Sequence, residues 1–460
     1  MSEPLAPEQV HGQPWYARFD PCFHAPFGCT LGLLLSTAGV AVIIYRADLP
    51  SSPWIWIVLG AVLCLFGAWW LWASFSPSLR RRLRLGIWPI AEPNSLEKIV
   101  ELCKGPHPPI AVGECWAYLT NLQYARPEER IIALGKNWTG VVSMTDDTIR
   151  VRTGMLWGEV MRVLWEKNKA PMDRPAFDAM SIGASVRVAA HGFRKDGWFI
   201  DFLRAVQAVE RGTGKVVEVK RGDYNWWKVV FGKDYIVTEA EFEVQPNRLV
   251  FVTGQSQPAT ENTTQQEVDQ WVQTEAFGWK DAPYVNMSIS GSAINRKWYT
   301  LDPVGVDEKT QSCLDYARRL VWADTPGIDS LGDAQTIIQQ NFLISFYCGR
   351  QFLTIANVEL FVKTEEPFDW DKIALSLVKF HAKYTGRTDL RERRRNGHTI
   401  TAFDGVVSTG EEVAPWFDML YNELKIKSGT LHPGKYVVAD AGNIQLIDHP
   451  KFWIDASETF

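Results

Sequence analysis

Three glycine-bearing stretches hold the residues whose types and spacing suit recognition of a phosphorylated ligand: Gly113 in AVGECWAYLTN, Gly183 and Gly192 in SIGASVRVAAHG, and Gly232 in FGKDYIVTE. Main-chain N–H groups approach phosphate oxygens closely only where no side chain intervenes, and some positions of such a cradle need positive φ. Ala184 and Ala189 add only a methyl each, tolerable wherever φ is negative, whereas Lys233 and Tyr235 bring bulk to the third stretch. Near the C-terminus, GTLHPGKY offers His432 and Lys435, and NVELFV offers Glu359 on a strand pattern. HPGK is also ordinary turn composition. The cysteines include no C-x-x-C pair, so neither a zinc site nor a disulfide framework is expected.

These residues need elements to position them. SLEKIVELC reads as an amphipathic helix with Ser95 as N-cap, PIAVG as a short buried strand, and IRVRTGMLWGEVMRVLWEKN as strand, turn and helix with Trp157, Val160, Met161 and Leu164 on one face. YIVTEAEFEVQP alternates as a half-buried strand ending at Pro246. Beyond it TIANVELFVK and HTITAFDGVV predict strands, and PFDWDKIALSLVKFHAKY and PWFDMLYNELKI predict helices. Mixed elements over residues 88–246 and again over 247–460 give two α+β units. The run RERRR from Arg391 to Arg395 reads as a solvated face, or as an anionic-lipid contact if it lies near a membrane.

Before residue 88 the texture differs. Residues 27–45 and 54–75 are uncharged and apolar, each long enough to cross a hydrocarbon layer of roughly 30 Å, with Trp and Tyr at several ends. Only RADLPSSP separates them, so residues 27–75 predict a transmembrane helical hairpin behind a tail of residues 1–26. Arg80, Arg81, Arg82 and Arg84 place both termini on the cytoplasmic or matrix side. A net charge of −5 over 460 residues argues against nucleic acid as a partner.

The order of these pieces resembles the flavoprotein superfamily of vanillyl-alcohol oxidase and p-cresol methylhydroxylase, and within it the aldonolactone and alditol oxidoreductases. AVGECWAYLTN is similar to the first pyrophosphate loop, TGMLWGEVMRVLWEKNKA to the strand–helix segment, SIGASVRVAAHG to the S-I-G-G…A-H-G loop, and GTLHPGKY to the H-W-G-K element. The resemblance implies an α+β, two-domain FAD-binding oxidase fold of the p-cresol methylhydroxylase type over residues 88–246 and 247–460, preceded by the hairpin. It implies FAD held by Gly113, Glu114, Cys115, Trp116, Ala117, Ser181, Ile182, Gly183, Ala184, Arg187, His191, Gly192 and Ile236. Arg187 either faces the pyrophosphate or belongs to a solvated or ion-paired strand position, and His191 is either a site residue or a structural turn histidine. No His lies between His107 and His191, so the flavin is expected to be non-covalent.

By the same resemblance, Lys435 stands beside the isoalloxazine, His432 is base or orienting partner, and Glu359 faces the substrate; no metal is called for. Phe361 stands where some aldonolactone enzymes carry an arginine two positions after the acidic residue. Two functions follow as expectations. One is a membrane-anchored oxidoreductase acting on a small hydroxylated or lactone substrate, with a quinone or cytochrome as acceptor. The other is a non-catalytic relative serving as an accessory subunit of a membrane complex, for instance in the mitochondrial inner membrane.

Overall fold

The computed structural model describes residues 53–75, 91–112, 131–135, 137–175, 180–275, 282, 284–305, 327–330, 355–384, 386–395, 397–408, 412–433, 435 and 440–455. The first apolar segment, residues 27–45, lies outside them. The second is one helix, α1 (Pro53–Phe75), of 23 residues. Taken on described side chains alone, which in α1 run only from 57 to 68, no helix is long and apolar enough to cross a membrane. Along that stretch Val58, Leu59, Val62, Leu65 and Phe66 are exposed.

The first globular unit contains α2 (Leu96–Cys103), β1 (Ile110–Val112), β2 (Ile131–Ala133), β3 (Val141–Met144), β4 (Thr148–Arg152), α3 (Trp157–Glu166), β5 (Lys169–Pro171), α4 (Ile182–Arg187), β6 (Leu203–Glu210), β7 (Val216–Lys220), α5 (Trp226–Phe231) and β8 (Tyr235–Pro246). Ser95 caps α2 by accepting from Lys98 N at 3.2 Å, as its position before the periodic run predicts. β1 and β2 form a parallel pair, while β3-β4-β8-β6-β7 form an antiparallel sheet to which β5 adds through β8. Trp157, Val160, Met161 and Leu164 all turn α3 onto this sheet's core. That match reflects helical spacing strong enough to survive context.

The second unit follows directly: β9 (Arg248–Pro258), α6 (Gln265–Glu275), β10 (Tyr284–Ser290), β11 (Ala293–Gly305), β12 (Gly327–Ser330), β13 (Ile355–Thr364), α7 (Trp370–Lys383), β14 (Arg387–Arg395), β15 (His398–Ser408), α8 (Val413–Asn422), β16 (Ser428–Leu431), β17 (Gln445–Leu446) and α9 (His449–Asp455). Among the described residues its nine strands run in the order β12-β9-β11-β10-β14-β15-β13-β16-β17. β13 shows how the sheet divides its labour. Val358, Leu360 and Val362 enter the core under α7 and α8, whereas Phe361, with Ile400 and Ala402 of β15, belongs to the core of the first unit. Period-2 alternation therefore presents Glu359 and Phe361 to the inter-unit interface.

The same alternation overturns the reading of Arg391 to Arg395 as a solvated or lipid-facing run. Arg391 and Arg393 are buried, at 7% and 1% exposure, and only Arg394 is exposed. Composition alone suggests a charged surface, but in β14 positions 391 and 393 share the face that packs on the first unit. There Arg393 Nε lies 2.5 Å from Asp201 Oδ2, closing a buried ion pair across the interface.

Candidate active site

Strand register places three carboxylates in a row. Glu359 of β13 pairs directly with Asp404 of β15, which pairs directly with Asp389 of β14. Like charges directly opposite each other destabilise a sheet unless cations intervene. Lys435 supplies one, its Nζ lying 2.9 Å from Glu359 Oε2 and 2.7 Å from Asp404 Oδ2. Arg391 supplies another, donating from Nη1 to Asp404 Oδ2 at 2.8 Å with Glu359 Oε1 at 3.8 Å. Arg387 Nε stands 3.4 Å from Asp389 Oδ2.

The first unit contributes His191, whose Nε2 lies 2.7 Å from Glu359 Oε1. With the carboxylate as acceptor, Nε2 carries the proton. Burial pushes the Glu359 carboxyl up, but Lys435 and His191 more than offset this and hold it well below the usual range. Asp404 is likewise held low, Lys435 and Arg391 outweighing burial and Glu359. Burial, with Asp404 adding, pushes Asp389 up instead. His432 joins the cluster through its backbone, donating from N to Glu359 O at 3.0 Å and accepting from Lys435 N at 3.1 Å. Burial pushes its imidazole down to about 3, so it is uncharged at neutral pH.

His191, Glu359, His432 and Lys435, named from three separate sequence motifs, therefore meet at one place. Asp404 and Arg391 complete it. An acidic residue inside the alternating apolar HTITAFDGVV was a signal for Asp404; Arg391 had none, because its neighbours in RERRR concealed it.

The SIGASVRVAAHG stretch differs from the expected open loop. Ser181 caps a helix, α4, by accepting from Ala184 N at 3.3 Å, while Ile182 N donates to Met155 O and Gly183 N to Thr153 O, both at 2.9 Å. A Cβ on Gly183 would meet Thr153 Cβ at 3.0 Å, so this glycine serves helix-to-turn packing. Ala190 N donates to Ser185 O and Ala189 N to Val186 O, the paired bonds of a Schellman ending with Ala189 left-handed at φ +49°. A methyl thus stands where positive φ favours glycine, contrary to the expectation of negative φ. Gly192 N donates to Asp173 Oδ2 at 2.8 Å.

Arg187 lies in α4 rather than a strand. Its Nη1 donates to Val230 O at 3.0 Å and Gly232 O at 2.8 Å, the carbonyls ending α5. Ile236 packs in a small core with Ile99, Cys103 and Trp138, its β8 backbone paired with Val209. Gly113, Glu114, Cys115, Trp116 and Ala117 lie outside the described residues. Among the described residues no group of His, Cys, Asp and Glu is arranged to hold a metal ion.

Residues 90–220 match a family model described as an FAD binding domain. The cofactor of this segment is FAD. A search of curated proteins returns no match. The mixed sheets and helices of the FAD-binding domain fit the p-cresol methylhydroxylase type of fold, and its two ends fit the cofactor unequally. The amides of Ile182, Gly183 and Ala184 already have protein acceptors, so α4 is no open phosphate cradle. Beside Phe361, by contrast, the packing is aromatic and leaves buried ring nitrogens without partners. His191, Trp198, His432 and Trp453 surround Phe361 with ring centroids 5.5 to 5.7 Å away. Trp198 Nε1, Trp226 Nε1 and both nitrogens of His449 are buried with no hydrogen-bond partner among the described residues.

Proposed function

We propose that the chain is a membrane-anchored, flavin-dependent oxidoreductase that oxidises a small hydroxylated substrate. The observation that carries this reading is the convergence of His191, Glu359, Asp404, Arg391, Lys435 and His432 where the FAD-binding domain meets the nine-stranded sheet. Buried charges are expensive to keep, and titratable groups with shifted pKa values cluster at functional sites.

Bound FAD would supply the two-electron acceptor. Lys435 and Arg391, neutralised by Glu359 and Asp404, form a fixed polar surface that orients a substrate hydroxyl. Protonating Glu359 or Asp404 would break ion pairs to Lys435 or Arg391, so the uncharged His432 is the group assigned to accept that proton. Its low basicity means that the proton moves together with loss of the C–H bond, not ahead of it. Phe361 takes the place of a guanidinium on β13, which favours a substrate smaller and less polar than an aldonolactone. The uncharged α1, about 34 Å long at 1.5 Å per residue, supports anchoring. Anchoring in turn favours a membrane-borne acceptor such as a quinone or cytochrome.

The first amides of α4, already spent on protein acceptors, favour a second reading, a flavin-free accessory subunit of a membrane complex. The absorption spectrum of the detergent-purified chain separates the two. Visible bands of oxidised flavin, released by acid and bleached anaerobically by substrate, are expected; a colourless protein that takes up no added FAD leaves only the accessory role.

A further inference from the structure

The hairpin that joins β14 to β15 sets Arg395 directly opposite His398, and one step further along the same face Arg393 lies opposite Ile400. Alternation turns Arg393, Arg395 and His398 toward the FAD-binding domain. Arg393 donates from Nε and Nη2 to the two oxygens of Asp201 there. Its Nη1, on the other side of the guanidinium, is buried with no hydrogen-bond partner among the described residues. His398 Nδ1 is likewise buried without a hydrogen-bond partner among the described residues.

Arg395 is half-buried, with its guanidinium 5.6 Å from the Phe202 ring and Nη1 3.0 Å from where a Cβ on Gly197 would stand. It has no carboxylate partner among the described residues, since Glu243 and Asp196 are paired with Arg204 and Arg194. Arg221 stands 3.8 Å from the same Asp201 that Arg393 holds. Burial, then the charges of Arg395, Arg393 and Arg204, push the Arg221 guanidinium down to about 10 against the pull of Asp201. Cations gathered in a partly dehydrated seam repel one another, and each buried N–H left unbonded costs its desolvation. A native structure keeps both where an anion answers them.

We propose that this end of the seam is a binding site for a phosphate monoester, with Arg393 Nη1, the Arg395 guanidinium and His398 Nδ1 as its donors. A monoester presents three acceptor oxygens, and guanidinium forks match phosphate geometry. Three separate side chains suit such a tetrahedral anion better than a flat carboxylate with two oxygens. A soluble metabolite and a lipid headgroup can carry the same group. None of these residues belongs to the candidate active site, so the inference stands apart from the flavin reading.

Calorimetric titration of the full chain in detergent with inorganic phosphate, at constant ionic strength balanced by chloride, tests the site. Saturable binding of one phosphate per chain is expected, with acetate about 10-fold or more weaker. Arg395→Gln and His398→Phe are each expected to weaken phosphate binding about 10- to 100-fold. If one of these variants does not fold, the other decides by the same factor. Competition between phosphatidic acid carried in the micelle and soluble glycerol phosphate separates the sources. Tighter binding from the micelle marks a lipid headgroup, and equal or tighter binding of the soluble ester marks a metabolite; the site stands in either case. No saturable phosphate binding, acetate as tight as phosphate, or phosphate affinity within about twofold of wild type in a folded variant overturns it.

Discussion

Lys435→Met tests the charge balance of the site directly. Lys435 stands within 3 Å of both Glu359 and Asp404, at 2.9 and 2.7 Å, and those carboxylates are directly opposite in register. Removing it leaves Arg391 and the His191 hydrogen bond to face two adjacent buried anions. Breaking a buried ion pair by deleting one partner costs about 3–5 kcal/mol. For a unit of 150–250 residues that is a fall in Tm of roughly 6–20 °C. The loss carries a pH signature. Without Lys435 one carboxylate has a folded pKa raised above its unfolded value. The variant is then closest to wild type at pH 5, and the gap widens as pH rises, by up to about 1.4 kcal/mol per unit until that pKa is passed. Adding Glu359→Gln removes one of the two anions, and the double variant is expected to recover about 1–3 kcal/mol relative to additivity. Thermal melts followed by tryptophan fluorescence at pH 5, 6.5 and 8 read all three quantities. A Lys435→Met chain within about 2 °C of wild type at every pH, or additive behaviour with Glu359→Gln, would refute the balance described here.

Three further outcomes are expected. Ala189→Gly should leave Tm nearly unchanged, because relief of a left-handed alanine, about 1 kcal/mol, offsets a buried methyl of about 0.8 kcal/mol; Ala208→Gly, in the middle of β6, should cost more than 1 kcal/mol. Gly192→Ala should destabilise by about 1–3 kcal/mol in urea titrations, since the new Cβ would fall 2.2 Å from Asp173 Oδ1 and 2.4 Å from Arg174 O. Burial pushes His381 down to about 4 in the folded chain, so its neutral form contributes stability above pH 6.5 that is lost as pH falls toward 4. His381→Gln should therefore lose about 2 kcal/mol less than wild type between pH 7 and pH 5 in the same titrations.

Much of the fold was legible because its elements carry strong local patterns. The spacing of Trp157, Val160, Met161 and Leu164 needs only a helix to make sense, and NVELFV alternates so cleanly that Glu359 had to leave the hydrophobic face. α4 was missed because six residues are too few to show periodicity, and glycines drew attention away from the Ser181 cap. Asp404 and Arg391 are brought to Glu359 by strand pairing between segments whose register no single segment states.

The Asp201–Arg393 pair bears on whether the chain can be cut. Its partners are 192 residues apart, on opposite sides of the joint near Pro246, and Phe361, Ile400, Ala402, Phe452 and Trp453 fill the same seam. A fragment ending at Pro246 would keep a buried carboxylate with its guanidinium partner missing and open a greasy wall to water. Expressed singly, each half should be insoluble or need the other supplied in trans, which makes Pro246 a hinge in the drawing and no seam in the energetics.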